Sequence, residues 1–168
     1  MFELAVWTIF PMAMLVAASM DLLTMTIPNK ITLALIAGFL LLAPFVGMSW
    51  QDFALHLVVG VAMLLVGMGL FAMGWMGGGD AKLFAATGLW IGYSPEVLGY
   101  VLLAAVYGGL LTIVIIAFRQ LPVLPKFAAS WNWLLRLHDQ KQGVPYGIAL
   151  ALAGIKVYPL TIWMSHLA

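Results

Sequence analysis

Asp21 closes an apolar run that begins at Leu4, and Asp80 stands directly after Gly77-Gly78-Gly79. Carboxylates at membrane depth are costly to keep, so they tend to mark functional sites. Two of them facing one hydrated pocket make a dyad. Like charges a few ångströms apart do not readily both ionise, so the pair shares a proton. The ionised member can take a proton from water while the protonated member polarises a peptide carbonyl, and the titration belongs to the pair. This chemistry needs no metal, no cofactor and no nucleophilic side chain. The chain has no cysteine, which excludes disulfides, thiol catalysis and zinc sites built on Cys pairs. His56, His138 and His166 are scattered without partners at ligand spacing, so no metal site is expected. Taken alone, Asp21 reads equally well as a solvated helix end. Glu3, Asp52, Glu96 and Asp139 read plainly as loop charges.

The elements that must position such a pair are membrane helices. Of 168 residues, 65% are hydrophobic and 8% charged, with a mean hydropathy of +1.11. A soluble domain of that composition would expose large apolar patches, so the bilayer is the solvent that fits. A net charge of +1 and the lack of a basic run give no sign of nucleic-acid binding. At about 20 residues per span, the length predicts an all-α bundle of about six transmembrane helices, with residues 1–168 as a single membrane-embedded domain. The candidate spans are Leu4 to Met20, Ile31 to Val46, Phe53 to Met73, Ala81 to Gly92, Val97 to Phe118, and Val144 to about Ser165 with Lys156 inside. Ala17-Ala18-Ser19 resembles a signal-peptide cleavage site, but Glu3 stands where a basic n-region belongs, so the first span is expected to be retained.

Charge placement sets the orientation. With the N-terminus outside, Lys30, Lys82, Arg119, Lys126, Arg136 and Lys141 fall inside, and Glu3, Asp52 and Glu96 outside. Lys156 is the exception and can snorkel outward. An N-out, C-out topology brings Asp21 and Asp80 to the same inner face. The fourth span covers only about 18 Å of a hydrocarbon layer about 30 Å thick, so either the bilayer thins there or the glycine segment dips inward as irregular backbone around a wet cavity. Its missing Cβ atoms would let a substrate strand approach closely. Lys82 either keeps one carboxylate charged or snorkels to headgroups. Pro28 suits the first turn of the second helix and makes a rigid re-entry after Asp21.

Glycines at Gly60, Gly67 and Gly74, and the pairs Gly88/Gly92 and Gly143/Gly147, are spaced for close helix packing. In the long loop from Arg119 to Gly143, Trp131, Leu134 and Leu135, with His138 next, share one helical face and predict a short interfacial helix.

Three motifs carry a family resemblance. Met76-Gly77-Gly78-Gly79-Asp80-Ala81-Lys82-Leu83 resembles the GxGD-x-K segment of type IV prepilin peptidases. Asp21 with Ile27-Pro28-Asn29 resembles that family's first aspartate and its downstream Ile-Pro-Asn. Val144-Pro145-Tyr146-Gly147 is similar to the Pro-Tyr-Gly that opens the last span in the short members serving Flp-type (tight adherence) pili. GxGD alone is weak, whereas the three in order are specific. The resemblance implies a bacterial inner-membrane aspartyl protease with Asp21 and Asp80 as catalytic dyad, working at the cytoplasmic face. It implies Gly77, Gly78, Gly79, Lys82, Pro28, Asn29, Pro145, Tyr146 and Gly147 as substrate-binding or site-shaping residues. The substrate would be a pilin precursor (prepilin) with a short leader ahead of a hydrophobic helix, cut after a glycine. Longer members add a domain with paired cysteines that methylates the new N-terminus; without Cys, the expectation here is the peptidase activity only. Presenilin-like relatives carry Tyr-Asp on the first catalytic helix, where Met20-Asp21 stands here.

The chief rival from another class is a small proton-coupled transporter, in which Lys156 would join Asp21 and Asp80 in a relay. Such a protein would more often show an internal repeat, and residues 1–84 and 85–168 show none. A structural assembly subunit with incidental aspartates is the third reading.

Overall fold

A peptide group in lipid has no water to bond, so apolar runs of this length close their hydrogen bonds internally as helices. The computed structural model describes residues 2–122 and 130–165, which places Lys126 and His166 outside the described residues. The chain runs through α1 (Phe2–Thr24), α2 (Asn29–Leu42), α3 (Trp50–Ala72), α4 (Gly78–Ile91), α5 (Pro95–Arg119), α6 (Asn132–His138), α7 (Tyr146–Val157) and α8 (Ile162–Ser165), with no strand among the described residues. It is a polytopic helical bundle. Four stretches are long and apolar enough to cross a membrane: Glu3–Thr24, Asn29–Val46, Trp50–Ala72 and Pro95–Arg119. The other two of the six expected spans are short.

Those two depart from expectation for visible reasons. α4 begins at Gly78 rather than Ala81, because Gly78 and Gly79 take up the helix and only Gly77 stays extended as its N-cap (φ −70°, ψ 150°). The last span is broken: α7 stops at Val157, Tyr158–Leu160 form a 3-10 turn, and α8 follows. Pro159 has no N–H for a helical bond, and its ring crowds the preceding turn. Pro28 is the N-cap of α2 rather than part of its first turn.

α4 is the centre. Ten of its residues, from Asp80 to Ile91, are buried, and α2, α3, α5 and α7 all lie against it. Its seam with α3 is made by absent side chains. A Cβ on Gly60 would stand 3.2 Å from Leu89 Cβ, one on Gly67 3.1 Å from Ala81 Cα, and one on Gly88 2.2 Å from Met63 Sδ. Gly74 and Gly143, expected in the same role, have nothing within 4 Å. Gly74 instead turns the chain after α3 with φ +73°, a conformation that suits glycine.

The end of the bundle remote from Asp21 and Asp80 is tied by aromatic residues. Phe10, Phe39, Trp90, Tyr158 and Trp163 interlock, Trp90 and Trp163 with ring centroids 4.7 Å apart. Each polar tip is satisfied: Trp90 Nε1–H donates to Leu35 O at 2.9 Å, Trp163 Nε1–H to Trp90 O at 2.7 Å, and Tyr158 O–H to Val6 O at 2.7 Å. His56 Nδ1 lies 2.7 Å from Leu89 O, which makes that nitrogen the donor. Every pairing spares an uncompensated polar group in an apolar medium, worth several kcal/mol (about 2–7).

α6 forms as expected, with Leu137 buried against the bundle and Trp131 and Leu135 exposed, on the side an interfacial helix turns to lipid. Hydrogen bonds to carbonyls tie it to the bundle. Arg119 Nε donates to Leu137 O at 2.7 Å and its Nη2 to Gly143 O at 2.8 Å; Arg136 Nη2 donates to Leu23 O, and His138 Nε2 lies 2.9 Å from Leu121 O.

Candidate active site

α1 continues one turn past Asp21, so the aspartate sits inside the helix instead of ending it. Met25 N–H closes the turn onto Asp21 O at 2.8 Å, and Met25 itself adopts φ 55°. A left-handed non-glycine residue costs about 1–2 kcal/mol, and it reverses the chain at once toward Ile27 and Pro28. Asp80 is the third residue of α4. Its carboxylate folds back to the N-cap, where Oδ2 would stand 2.8 Å from a Cβ on Gly77, and the Gly77 N–H is within its reach. This is the reciprocal half of a capping box, with Asp in place of Glu.

The two carboxylates line one cavity of about 350 Å³, with Met25, Thr26, Ile27, Asn29, Gly77, Gly78, Gly79 and Lys82. Asp21 is 4% exposed and Asp80 7%. Gly147 N–H, at the start of α7, donates to Asp21 Oδ2 at 2.8 Å and also lies within reach of the Asp80 carboxylate. Asp80 Oδ1 is buried with no hydrogen-bond partner.

The remaining expected residues divide. Asn29 and Lys82 line the cavity, and Lys82 Nζ donates to Asn29 Oδ1 at 2.9 Å. Its bond to an amide oxygen, with no ion pair to either carboxylate among the described residues, departs from the charge-keeping reading. The glycines do line the cavity, but the room left by their missing Cβ atoms is taken by the protein. A Cβ on Gly79 would stand 3.1 Å from Ile27 Cβ and 3.3 Å from Ile27 N, one on Gly78 3.4 Å from the Phe71 ring, and one on Gly77 2.8 Å from Asp80 Oδ2. Gly147 is equally tight, its Cβ position lying 2.8 Å from both Asp21 Oδ2 and Ile27 Cδ1. Pro28, Pro145 and Tyr146 are outside the lining. Pro145 caps α7, and the Tyr146 ring packs on Gly108 of α5, with Thr112 Oγ1 donating to its hydroxyl at 3.3 Å.

Ile27 was not singled out from sequence, yet it wedges between Gly79 and Gly147 and joins the two halves of the pocket. Its only signal was its place ahead of Pro28-Asn29. Met25 and Thr26 gave none. Lys156, the third member of the transporter relay, is exposed at the far end of α7, about 14 Å along the helix from Gly147.

A search of the curated proteins and one of the solved structures returned no match. The family model for the type IV leader peptidase family matches residues 8–113, a stretch that holds Asp21, Asp80 and the glycines between α3 and α4. Since the match covers more than half of the sequence, the chain belongs to the type IV leader peptidase family.

Proposed function

We propose that the chain is an aspartic endopeptidase that removes the short leader of Flp-type pilin precursors, working at the cytoplasmic face of the bacterial inner membrane. The observation that carries this is the convergence of the Asp21 and Asp80 carboxylates on one cavity. Membership in a leader peptidase family supplies the reaction class.

In the proposed cycle one carboxylate is ionised and the other protonated. The ionised one takes a proton from water as the water oxygen attacks the scissile carbonyl carbon. The protonated one donates to the carbonyl oxygen. The C–N bond then breaks: the leaving amine takes the proton that came from water, a hydroxyl of the gem-diol returns its proton to the other carboxylate as the C=O re-forms, and the dyad is back in its starting state. Gly147 N–H holds Asp21 in place throughout, and Asp80 Oδ1 is the open acceptor at the centre of the exchange.

Co-expression with a Flp-type pilin precursor tests the reading by mobility shift. Asp21→Asn and Asp80→Asn should each reduce processing by about 10²–10⁴-fold, the usual worth of positioned acid–base catalysis. Intact processing in either variant removes that residue from the dyad.

A further inference from the structure

A second cavity, of about 490 Å³, adjoins the first. It is a groove between α2 and α3, floored by α4. Each helix gives about two turns: Asn29, Thr32, Leu33 and Ile36 from α2, Leu57 to Leu64 from α3, and Lys82 to Leu89 from α4. Asn29 and Lys82 line both cavities, so the groove starts where the carboxylate pocket ends. Its polar residues, Asn29, Thr32 and Lys82, all lie at that mouth, and the remainder of the lining is apolar. α2 and α3 both rest on α4 and hardly touch each other along the groove.

We propose that this groove seats the first two turns of the apolar helix that follows the cleavage site in the precursor. The proposal rests on the peptidase reading above and adds the place of binding. A groove about 10 Å long holds about two turns of helix. Its polarity runs in the order a precursor requires, with polar groups beside the scissile peptide and apolar ones beyond. The shared residues at the mouth mean that a chain lying in the groove must emerge beside Asp21 and Asp80. Gly60, Ala85 and Ala86 keep the groove deep, as small residues do where helices approach closely in lipid. An acyl chain of a lipid is the competing occupant.

Because the chain has no native cysteine, single-cysteine crosslinking has no background. A Flp-type precursor that the wild-type chain cleaves is given one cysteine in the second turn of its apolar helix. The peptidase carries Leu33→Cys or Val61→Cys in the groove, or Val114→Cys on the exposed face of α5, in an Asp80→Asn background that holds the substrate. Crosslinks from 33 and 61 at least tenfold stronger than from 114 are expected. Val61→Trp, which fills the groove from an exposed position, should slow processing at least tenfold, while Val114→Trp should leave it unchanged. Equal crosslinking from all three positions, or wild-type processing by Val61→Trp, overturns the groove alone and leaves it to lipid. A wild-type chain that cleaves no precursor overturns the groove together with the peptidase reading.

Discussion

At the scale of single residues, the donor that holds Asp21 is a backbone amide. Gly147 can keep its N–H 2.8 Å from Asp21 Oδ2 only because it has no Cβ to meet that same oxygen. Gly147→Ala should therefore lower the processing rate by about 10²-fold, as a displacement of about 1 Å at a reacting centre does. Gly143→Ala, four residues earlier with nothing within 4 Å, should leave it unchanged, and the two are compared at equal amounts of folded protein. The proposed sharing of a proton also predicts a two-sided pH profile. A doubly ionised pair has no acid for the carbonyl oxygen and a doubly protonated pair has no base for water, so kcat should fall at both extremes. A rate that only rises or only falls between pH 4 and about pH 9 would contradict the roles given to the two aspartates. Asp21 and Asp80 were legible in the sequence because a carboxylate in an apolar chain is conspicuous. The role of Gly147 as donor was not, since any residue but proline carries the same N–H. For Lys82 the sequence leaves two readings open, a carboxylate partner or the headgroups, and the side chain meets Asn29.

Helices set those residues in place through contacts that are equally specific. Gly67 lies against the backbone of Ala81, the residue after Asp80, so any side chain there pushes α3 away from the start of α4. Gly67→Ala should cost about 1–3 kcal/mol, the usual penalty of overpacking, read as a lower Tm in detergent. Gly69→Ala, on the open side of the same helix, should cost nothing measurable. α6 is held by guanidinium bonds to carbonyls, and Arg119→Ala removes two of them. Amide hydrogen exchange over residues 132–138 should then quicken, with little change elsewhere. The four long spans could be read from composition, since lipid leaves a long apolar run no alternative to a helix. The start of α4 could not be, because glycine is a poor helix former in isolation and three together suggest a loop. Tertiary packing on Phe71 and Ile27 decides otherwise. The break at Pro159 was visible as a proline and was passed over in favour of span length. The arginine bonds that tie α6 to the bundle are encoded by no periodicity.

Across the whole molecule the pocket of Asp21 and Asp80 lies at one end of the bundle, and the cluster of Phe10, Trp90, Tyr158 and Trp163 at the other. The proposed orientation, argued from the charge pattern, puts the carboxylate end in the cytoplasm. Gln51→Cys, in the first turn of α3 at the aromatic end, should react with a membrane-impermeant maleimide in intact cells. Gln140→Cys, between α6 and α7, should react only after permeabilisation, and the reverse pattern would turn the topology over. The bond from Gly147 to Asp21 spans 126 positions of sequence. α1 leaves the ribosome first and α7 near the end, so both aspartates are in the membrane well before the amide that binds Asp21 arrives. A chain halted after α5 would hold every acidic group the reaction calls for and still have no centre to react at. On the proposed mechanism, the amide of Gly147 is thus the last part of the site to be made.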